Sequence, residues 1–314
     1  MVCHNCQVEA NKHGKDRKGN QRFRCDTCSK TFSERQERPF GNMYLPLEKA
    51  IAITQLLVEG CSVRSTERIT GVNRNTILDL LVVVGERCEA MLENRIHNVM
   101  VKDVQCDEMW GFVGMKEKTK KANDRDDYAV GDAYTFVGIE RHTKLVLAWH
   151  LGRRSRPDTF AFTEKLNRAT AGTFQVTTDG FAAYRDAVVH SMGAQKIDFA
   201  QYVKVYAASR EGEQRYSPAV VVDSMKLPIY GNPDPERICT SHVERSNLTM
   251  RMHIRRLTRL TNGFSKKWAN LKAAVALYFA WYNFCRVHQT LRVTPAMEAG
   301  LTNHIWSLSE LLTA

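Results

Sequence analysis

Two closely spaced cysteine pairs near the start of the chain restrict its possible folds more than any other feature. Cys3/Cys6 and Cys25/Cys28 are both C-x2-C pairs, and residues 7–24 lie between them. Each pair can place two thiolates on one tight turn, and two such turns close a tetrahedral Zn²⁺ site. A segment this short cannot bury a core of its own, so a metal ion would have to hold it together. The spacing therefore predicts a structural Zn²⁺ site rather than a redox-active C-x2-C pair.

The residues around these cysteines predict a small basic β module. Residues 22–32 read RFRCDTCSKTF, the strand, turn and strand pattern of a zinc ribbon, with Phe23 and Phe32 expected to cover the metal site. Basic side chains lie between and beside the pairs: Lys12, Lys15, Arg17, Lys18, Arg22, Arg24 and Lys30. Basic modules of this kind commonly bind nucleic acid. We therefore expect a nucleic-acid-binding zinc ribbon over residues 1–40.

The composition of the whole chain favours the same kind of partner. With 314 residues and a formal net charge of +11, the chain has room for two or three domains and an affinity for polyanions such as DNA or RNA. The five cysteines outside the pairs follow no pattern, as expected of reduced thiols in a reducing compartment. We find neither an apolar leader nor a stretch of transmembrane length. These features predict a cytoplasmic, nucleoid-associated protein with no membrane partner.

Residues 41–99 are predicted to form a helical DNA-binding domain. Apolar periodicity indicates a first helix from about Leu47, with Gly60 as its C-cap. A short helix, a glycine turn at residues 71–73 and a second helix capped by Asn73 follow, which matches a helix-turn-helix. An ordinary helical hairpin is the alternative interpretation. The residues that would begin the recognition helix, and so contact DNA, are Arg74, Asn75 and Thr76.

Residues 100–314 are predicted to form an α/β domain, a mixed sheet flanked by helices. The expected strands are 101–106, 134–140, 145–151, 173–178 and 197–206. The expected helices are 159–169, capped by Asp158, and 181–192, 242–259 and 265–286. Because residues 207–240 are polar and contain prolines, they are expected to form an irregular insertion.

Acidic residues in this region suggest a metal site. Asp107 is expected at the end of the first strand and Asp179 at the end of the fourth, so the two carboxylates would meet if these strands were neighbours. Together with Glu244 on a later helix, they could hold two Mg²⁺ ions. Alternation along the strand places Glu108 on the opposite face, so Glu108 is the second choice to Asp107. Each acid also has a structural interpretation: Asp179-Gly180 is a common turn, and Ser241 with Glu244 fits a capping box.

The residues after Glu244 favour a phosphate partner. Asn247 and Arg251 lie on the same helical face as Glu244, where Arg251 could hold a phosphate beside the metal ions. Residues 245–297 include no acid, and a basic run without compensating acids is typical of a surface that follows a phosphate backbone. The DNA-contacting residues predicted here are Asn247, Arg255, Arg256, Arg259, Lys266 and Lys267.

Taken together, these blocks resemble one family. The matching segments are CHNC and RFRCDTCSKTF for a zinc ribbon, VRSTERITGVNRNTI for a helix-turn-helix, QCDEMWGFVG, VTTDGF and HVERSNLTMR for three catalytic blocks, and YNFCRVHQTL with TPA near the end. In this combination the chain resembles bacterial insertion-sequence transposases of the DDE class, most of all the InsA/InsB type with both halves fused in one frame. The resemblance covers essentially the whole length.

The resemblance implies a fold, a reaction and a set of partners. It implies an RNase H-like domain in which Asp107, Asp179 and Glu244 bind two Mg²⁺ or Mn²⁺ ions, with Arg251 as the basic residue seven positions after the glutamate. It also implies binding to the terminal inverted repeats of double-stranded DNA, cleavage that frees a 3′-OH, and strand transfer to target DNA by at least a dimer. Two alternatives are a DNA-binding regulator whose C-terminal half only dimerises, and an RNase H-like nuclease without strand transfer.

Overall fold

A computed structural model describes residues 1–17, 19–33, 40, 43–193, 197–207, 221–259 and 261–314. The chain divides into two units, Met1–Tyr44 and Leu45–Ala314. The domain boundaries expected at residues 40 and 99 stay predictions. Within the described residues, no helix combines the length and the apolar character needed to cross a bilayer.

The first unit is a three-stranded antiparallel sheet. Its strands are β1 (Asn11–Lys15), β2 (Gln21–Arg24) and β3 (Thr31–Ser33). The Phe23–Phe32 pair on β2 and β3 packs against Cys3, Cys25 and Ala10, which form the small buried core. The predicted strand, turn and strand over residues 22–32 are therefore confirmed. Lys18 and residues 34–39 lie outside the described residues.

Three helices open the second unit, as the apolar periodicity predicts. They are α1 (Leu47–Val58), α2 (Val63–Thr70) and α3 (Arg74–Arg95). Gly71 ends α2 in the left-handed conformation with φ +69°, which costs glycine little. Asn73 caps α3 by accepting a hydrogen bond from the Asn75 backbone N–H at 2.9 Å. The turn and the cap predicted here are confirmed.

A six-stranded mixed sheet forms the centre of the second unit. Its strands along the chain are β5 (Asp103–Val113), β6 (Gly131–Glu140), β7 (Val146–Gly152), β9 (Phe174–Thr178), β10 (Ile197–Tyr206) and β11 (Val221–Tyr230). They lie in the order β11-β10-β9-β5-β6-β7; β9 is parallel to β5 and β10, and the other pairs are antiparallel. A separate two-stranded pair joins β4 (Val99–Met100) and β8 (Thr170–Ala171). The predicted α/β class with a mixed sheet is confirmed.

Helices flank this sheet. They are α4 (Glu117–Ala122), α5 (Arg156–Ala169), α6 (Ala183–Met192), α7 (Ser241–His253), α8 (Trp268–Phe284), α9 (Pro295–Glu298) and α10 (Leu308–Thr313), with a 3₁₀ turn at Arg255–Leu257. Helix α5 packs on β7, α7 on β5, and the almost wholly buried α8 lies against α3. Gly85 of α3 lies so close to α8 that a Cβ atom there would collide with Ala273. Helices α1–α3 and the sheet thus share one core through α8.

Several element bounds differ from the sequence predictions. Strand β5 continues to Val113, because pairing with β6 carries it past Asp107 and Glu108. Helix α5 begins three residues early, since Ser155 rather than Asp158 is its N-cap. Helix α7 ends at His253 and not at residue 259.

The prediction of an irregular chain is wrong for Val221–Tyr230, which forms the edge strand β11. Pro228 is tolerated there because an edge strand has one side without ladder hydrogen bonds. Residues 208–220 of that predicted insertion lie outside the described residues.

Candidate functional site

Strands β5 and β9 bring two of the predicted acids to the end of their shared ladder. They are parallel neighbours, and their ladder ends at the pair Cys106–Thr178. The next residues are Asp107 and Asp179, so both carboxylates emerge beyond the last shared pair. The expected neighbourhood of the two strands is confirmed. Asp107 lies in mid-strand rather than at a strand end, because only β9 stops there.

Three carboxylates converge at this point. One oxygen from each of Asp107, Glu108 and Asp179 lies within 4.8 Å of the others. The two side chains have different neighbours, as alternation predicts: Asp107 contacts Asn247 of α7, and Glu108 contacts Arg154 and lies beside Tyr184 of α6. Glu108 still reaches the cluster, which its rank as second choice to Asp107 did not anticipate. The pairing of β9 with β5 stops at Thr178, which leaves space beside Asp107 and Glu108. The Glu108 side chain is long enough to reach this space. The Glu108 side chain is only 2% exposed.

The cluster carries more negative charge than its surroundings balance. Burial, and secondarily the charge of Asp179, raises the pKa of Asp107 to about 7. The same two causes raise the pKa of Glu108 to about 8. Burial also raises the pKa of Asp179. Close, poorly solvated carboxylates of this kind become fully ionised when a cation lies among them.

One arginine partly compensates this charge. Arg154, from the loop between β7 and α5, donates to Glu108 Oε2 at 3.2 Å and to Asp179 Oδ2 at 3.3 Å. Its guanidinium also lies 4.3 Å from the Phe181 ring centre. The other Glu108 oxygen, Oε1, and the Tyr184 hydroxyl are both buried and form no well-aligned hydrogen bond with any of the described residues, but the hydroxyl lies close enough to Glu108 to oppose the burial that raises its pKa. Three close carboxylates that share a single arginine within the described part of the chain fit a site that takes a cation, so the cluster could hold Mg²⁺.

Helix α7 lies against this cluster. The Asn247 side-chain amide donates to Asp107 Oδ2 at 2.8 Å, and Asn247 itself is buried. Asn247 thus lies beside the acids, and its predicted contact with DNA stays a prediction. Glu244, one turn earlier, lies outside the group of three. Its carboxylate accepts from the Thr240 hydroxyl at 2.6 Å and from Lys204 on β10.

Glu244 nevertheless acts on the cluster through its charge. It raises the pKa values of both Asp107 and Asp179. The alternative of a capping box with Ser241 is not what forms, because Thr240 is the N-cap of α7 and Ser241 is its first residue. Glu244 is thus close enough to Asp107 and Asp179 to affect their pKa values, and it forms an ion pair with Lys204.

Arg251 holds α7 against the sheet. Its two terminal nitrogens donate to the backbone carbonyls of Leu257 and Trp110, each at 3.0 Å. Burial and the neighbouring charge of Arg259 lower the pKa of Arg251 to about 10. Both terminal nitrogens of Arg251 thus bind main chain, and its predicted contact with a phosphate stays a prediction.

The predicted DNA-contacting residues fall into exposed and covered groups. The exposed ones are Arg74, Asn75, Arg255, Arg259, Lys266 and Lys267. Thr76 and Arg256 are half-buried. Burial lowers the pKa of Arg256 to about 10.

The four N-terminal cysteines form a second candidate metal centre. Their sulfur atoms all lie within 4.8 Å of one another, and Cys3 Sγ is 3.7 Å from Cys28 Sγ. None of the four forms a disulfide. The backbone N–H of Cys28, pointing at Cys25, is the main cause that lowers the pKa of Cys25 to about 7. The hydrogen bond with Cys28 raises the pKa of Cys6 to about 11, so the thiols share their protons unequally, and the four convergent sulfur atoms fit Zn²⁺.

Two residues of the acidic site were missed at the sequence level. Arg154 lies in the run RRSR, which is typical of a solvated basic turn. Lys204 lies in a strand far along the chain from Glu244. Their pairing with acids depends on the sheet order, which local patterns do not contain.

Comparison with known proteins adds no identification. No protein-family model matches the chain, and no curated protein matches it significantly in sequence.

Proposed function

We propose that the chain is a DNA transposase of the DDE class. In this proposal the six-stranded sheet is an RNase H-like domain, α2 and α3 are a helix-turn-helix, and the N-terminal sheet is a zinc ribbon. The observation that carries the proposal is the convergence of Asp107, Glu108 and Asp179 at one strand edge, next to the helix with Glu244. Outside this cluster, the basic residues of α3 and of the segment after α7 supply the surface for DNA.

Two acids of the cluster and three residues beside it have roles in this proposal. Asp107 and Asp179 would be the primary ligands of two Mg²⁺ or Mn²⁺ ions, and Glu244, which is paired with Lys204 here, would be the third acid. Divalent ions held there would activate a water or a 3′-hydroxyl and stabilise the leaving 3′-oxygen. Asn247 fixes the orientation of Asp107 through its amide. Arg154, which loses its carboxylate partners to the ions, is free to hold a phosphate.

The two alternatives differ in what they require of the acids. A DNA-binding regulator has no use for three close carboxylates with raised pKa values, which cost stability at neutral pH. A nuclease without strand transfer would use the same cluster and differ only in its products. The acidic cluster therefore supports catalysis, and the reaction products separate the two catalytic functions.

The test is a cleavage and joining assay with the full-length, zinc-loaded protein. The substrates are labelled duplexes taken from the DNA on either side of the coding region, with a plasmid as target and Mg²⁺ or Mn²⁺ present. We expect nicks that leave a 3′-OH, followed by joined products in the plasmid. Asp107→Asn and Asp179→Asn should abolish both, and Asp126→Asn, an exposed residue of a loop, should abolish neither.

Three other outcomes of this assay would contradict the proposal, and each would indicate a different alternative. Cleavage without joining would indicate the nuclease. Specific binding that is unaffected by Asp107→Asn and needs no divalent ion, with no cleavage, would indicate the regulator. Cleavage and joining by Asp107→Asn at the wild-type rate would show that the acidic cluster is not the active site.

A further inference from the structure

A cavity of about 900 Å³ lies in the second unit, among α1–α3, the segment that follows α7, and α8. Five basic residues line it: Arg64, Arg74, Arg255, Arg256 and Lys266. None of the described residues that line it is acidic. The cavity thus joins cations from two segments that are far apart in the sequence. Its size is within the range of small-molecule sites, roughly 300–1,000 Å³.

Arg256 is the clearest sign that the cavity takes an anion. Burial alone lowers its pKa, with no contribution from a carboxylate. Arg256 makes no hydrogen bond or ion pair with any of the described residues. Arg256 is half-buried, and a guanidinium that has lost much of its water without gaining a counter-charge is unfavourable. An anionic ligand in the cavity would supply the missing partner.

Ser265 provides a second, independent sign. It lines the cavity, is 3% exposed, and its hydroxyl has no hydrogen-bond partner among the described residues. Its main chain is fixed at the end of β5, because its carbonyl accepts from the Gly114 N–H at 2.8 Å. The main chain of Ser265 is thereby held at the cavity, and its hydroxyl is left for a partner outside the described residues. It can donate one hydrogen bond to a ligand oxygen.

The rest of the lining has two chemical parts. The first residues of α2 and α3, including Arg64 and Arg74, lie at the cavity, where the positive ends of helix dipoles favour phosphate. Leu78, Leu277 and Phe264 form an apolar part. A cationic part next to an apolar part with an aromatic ring matches a ligand that combines a phosphate with a flat, weakly polar ring.

We propose that this cavity binds one phosphorylated nucleoside unit, with the phosphate on Arg256 and Ser265 and the base against the apolar part. The unit is either a free mononucleotide or a nucleotide turned out of a DNA strand. This proposal goes beyond the proposed function, because it requires no catalysis at the acidic cluster.

The test for a free ligand uses calorimetric titration of the full-length protein. The probes are dAMP, deoxyadenosine without phosphate, and inorganic phosphate. The test for a DNA source uses a duplex with an unpaired 2-aminopurine at its end, whose fluorescence reports the environment of the base. The variants are Arg256→Met, which keeps volume and removes charge, Ser265→Ala, and Arg168→Met as an exposed control outside the cavity lining.

We expect wild type to bind dAMP, or to change the 2-aminopurine signal, or both. Binding of dAMP without a 2-aminopurine response would identify a free nucleotide, and the reverse would identify a nucleotide from DNA. Arg256→Met should weaken the positive response at least about tenfold and Ser265→Ala should weaken it several-fold, with Arg168→Met and Asp107→Asn unchanged. Arg256→Met should fold with an unreduced melting temperature, because it removes a half-buried charge that has no counter-charge among the described residues.

Three results would overturn the proposal. One is the absence of a response to either probe in wild type. Another is a response that Arg256→Met and Ser265→Ala both leave intact. The third is equal affinity for dAMP and deoxyadenosine without a 2-aminopurine response, which would exclude recognition of the phosphate. Asp107 does not line the cavity, so Asp107→Asn should leave ligand binding there unchanged while it abolishes cleavage. Failure of the nucleotide proposal is therefore distinguishable from failure of the transposase proposal.

Discussion

At the scale of single residues, the acidic cluster shows burial and like charge acting on the same groups. Asp107 and Glu108 have raised pKa values because both lose water and both lie near Asp179. Arg154 reaches only one oxygen of Glu108 and one of Asp179. The cluster is thus strained electrostatically near neutral pH, and protonation or a cation relieves it.

The first prediction concerns pH and stability without divalent ions. Raised pKa values in the folded state mean that the folded chain holds protons that the unfolded chain has lost. The stabilising contribution is therefore complete below about pH 4, the pKa of an unfolded carboxyl, and is lost as pH rises through about 7 for Asp107 and 8 for Glu108. Between pH 5 and 8.5, wild type should lose about 2–3 kcal/mol more unfolding free energy than Asp107→Asn.

Urea unfolding at a series of pH values in a chelator-treated buffer measures this difference. Asp126→Asn, an exposed position, should follow the wild-type curve. Parallel curves for wild type and Asp107→Asn would show that the Asp107 carboxyl titrates normally in the fold.

At the scale of elements, a helix or strand could be predicted where the sequence pattern that specifies it lies within the element itself. The bounds of α1 and β10 follow from apolar patterns, and the start of α3 follows from its cap, Asn73. The edge strand β11 could not be predicted, because its residues are exposed on both faces and so show no alternation. The extension of β5 was missed because Asp107 and Glu108 resemble a strand end when β6 is not known to pair with them.

The candidate site was predictable only in part, for the same reason. The order of acids along the chain pointed to Asp107 and Asp179, and their strands are neighbours. The place of Glu108 depends on where β9 stops, and the partner of Glu244 depends on where β10 lies. Both are properties of the sheet order, which alternation and spacing do not encode.

The contact between α3 and α8 gives a prediction about packing. Gly85 of α3 has no room for a side chain, since a methyl group there would meet the backbone of Ala273 on α8. Gly85→Ala should therefore destabilise the fold by about 1–2 kcal/mol, since overpacking costs roughly 1–3 kcal/mol and outweighs the helix propensity gained. The measurement is urea unfolding. Glu86→Ala, the next and exposed position, should change stability by less than about 0.5 kcal/mol; an equally stable Gly85→Ala would show that the helices can separate without cost.

The N-terminal sheet gives a prediction about metal. Its buried core is made largely of the cysteines themselves and Phe23, too little to be stable alone. Cys25→Ser should lose zinc and expose residues 1–44 to protease, with the melting of the second unit unchanged. Zinc content per chain and limited proteolysis measure both effects. Cys239→Ser, outside the cluster, should keep its zinc; a Cys25→Ser protein with full zinc and intact N-terminal residues would contradict the four-cysteine site.

At the scale of the whole molecule, charge is distributed in a way that couples DNA and metal. A net charge of +11 attracts a polyanion, whereas three close carboxylates repel each phosphate that approaches them. Divalent ions at the cluster would remove this conflict. Metal binding at Asp107 and Asp179 is therefore the claim on which the proposed function depends.

The most direct test is a Mn²⁺ titration of the zinc-loaded protein at pH 8, with free Mn²⁺ followed by electron paramagnetic resonance. Wild type and Asp126→Asn should bind Mn²⁺ alike. Asp107→Asn and Asp179→Asn should bind it at least about tenfold more weakly, because even outer-shell partners are worth about 10–100-fold in metal affinity. Equal Mn²⁺ affinity in wild type and both variants would contradict a metal centre at this sheet edge.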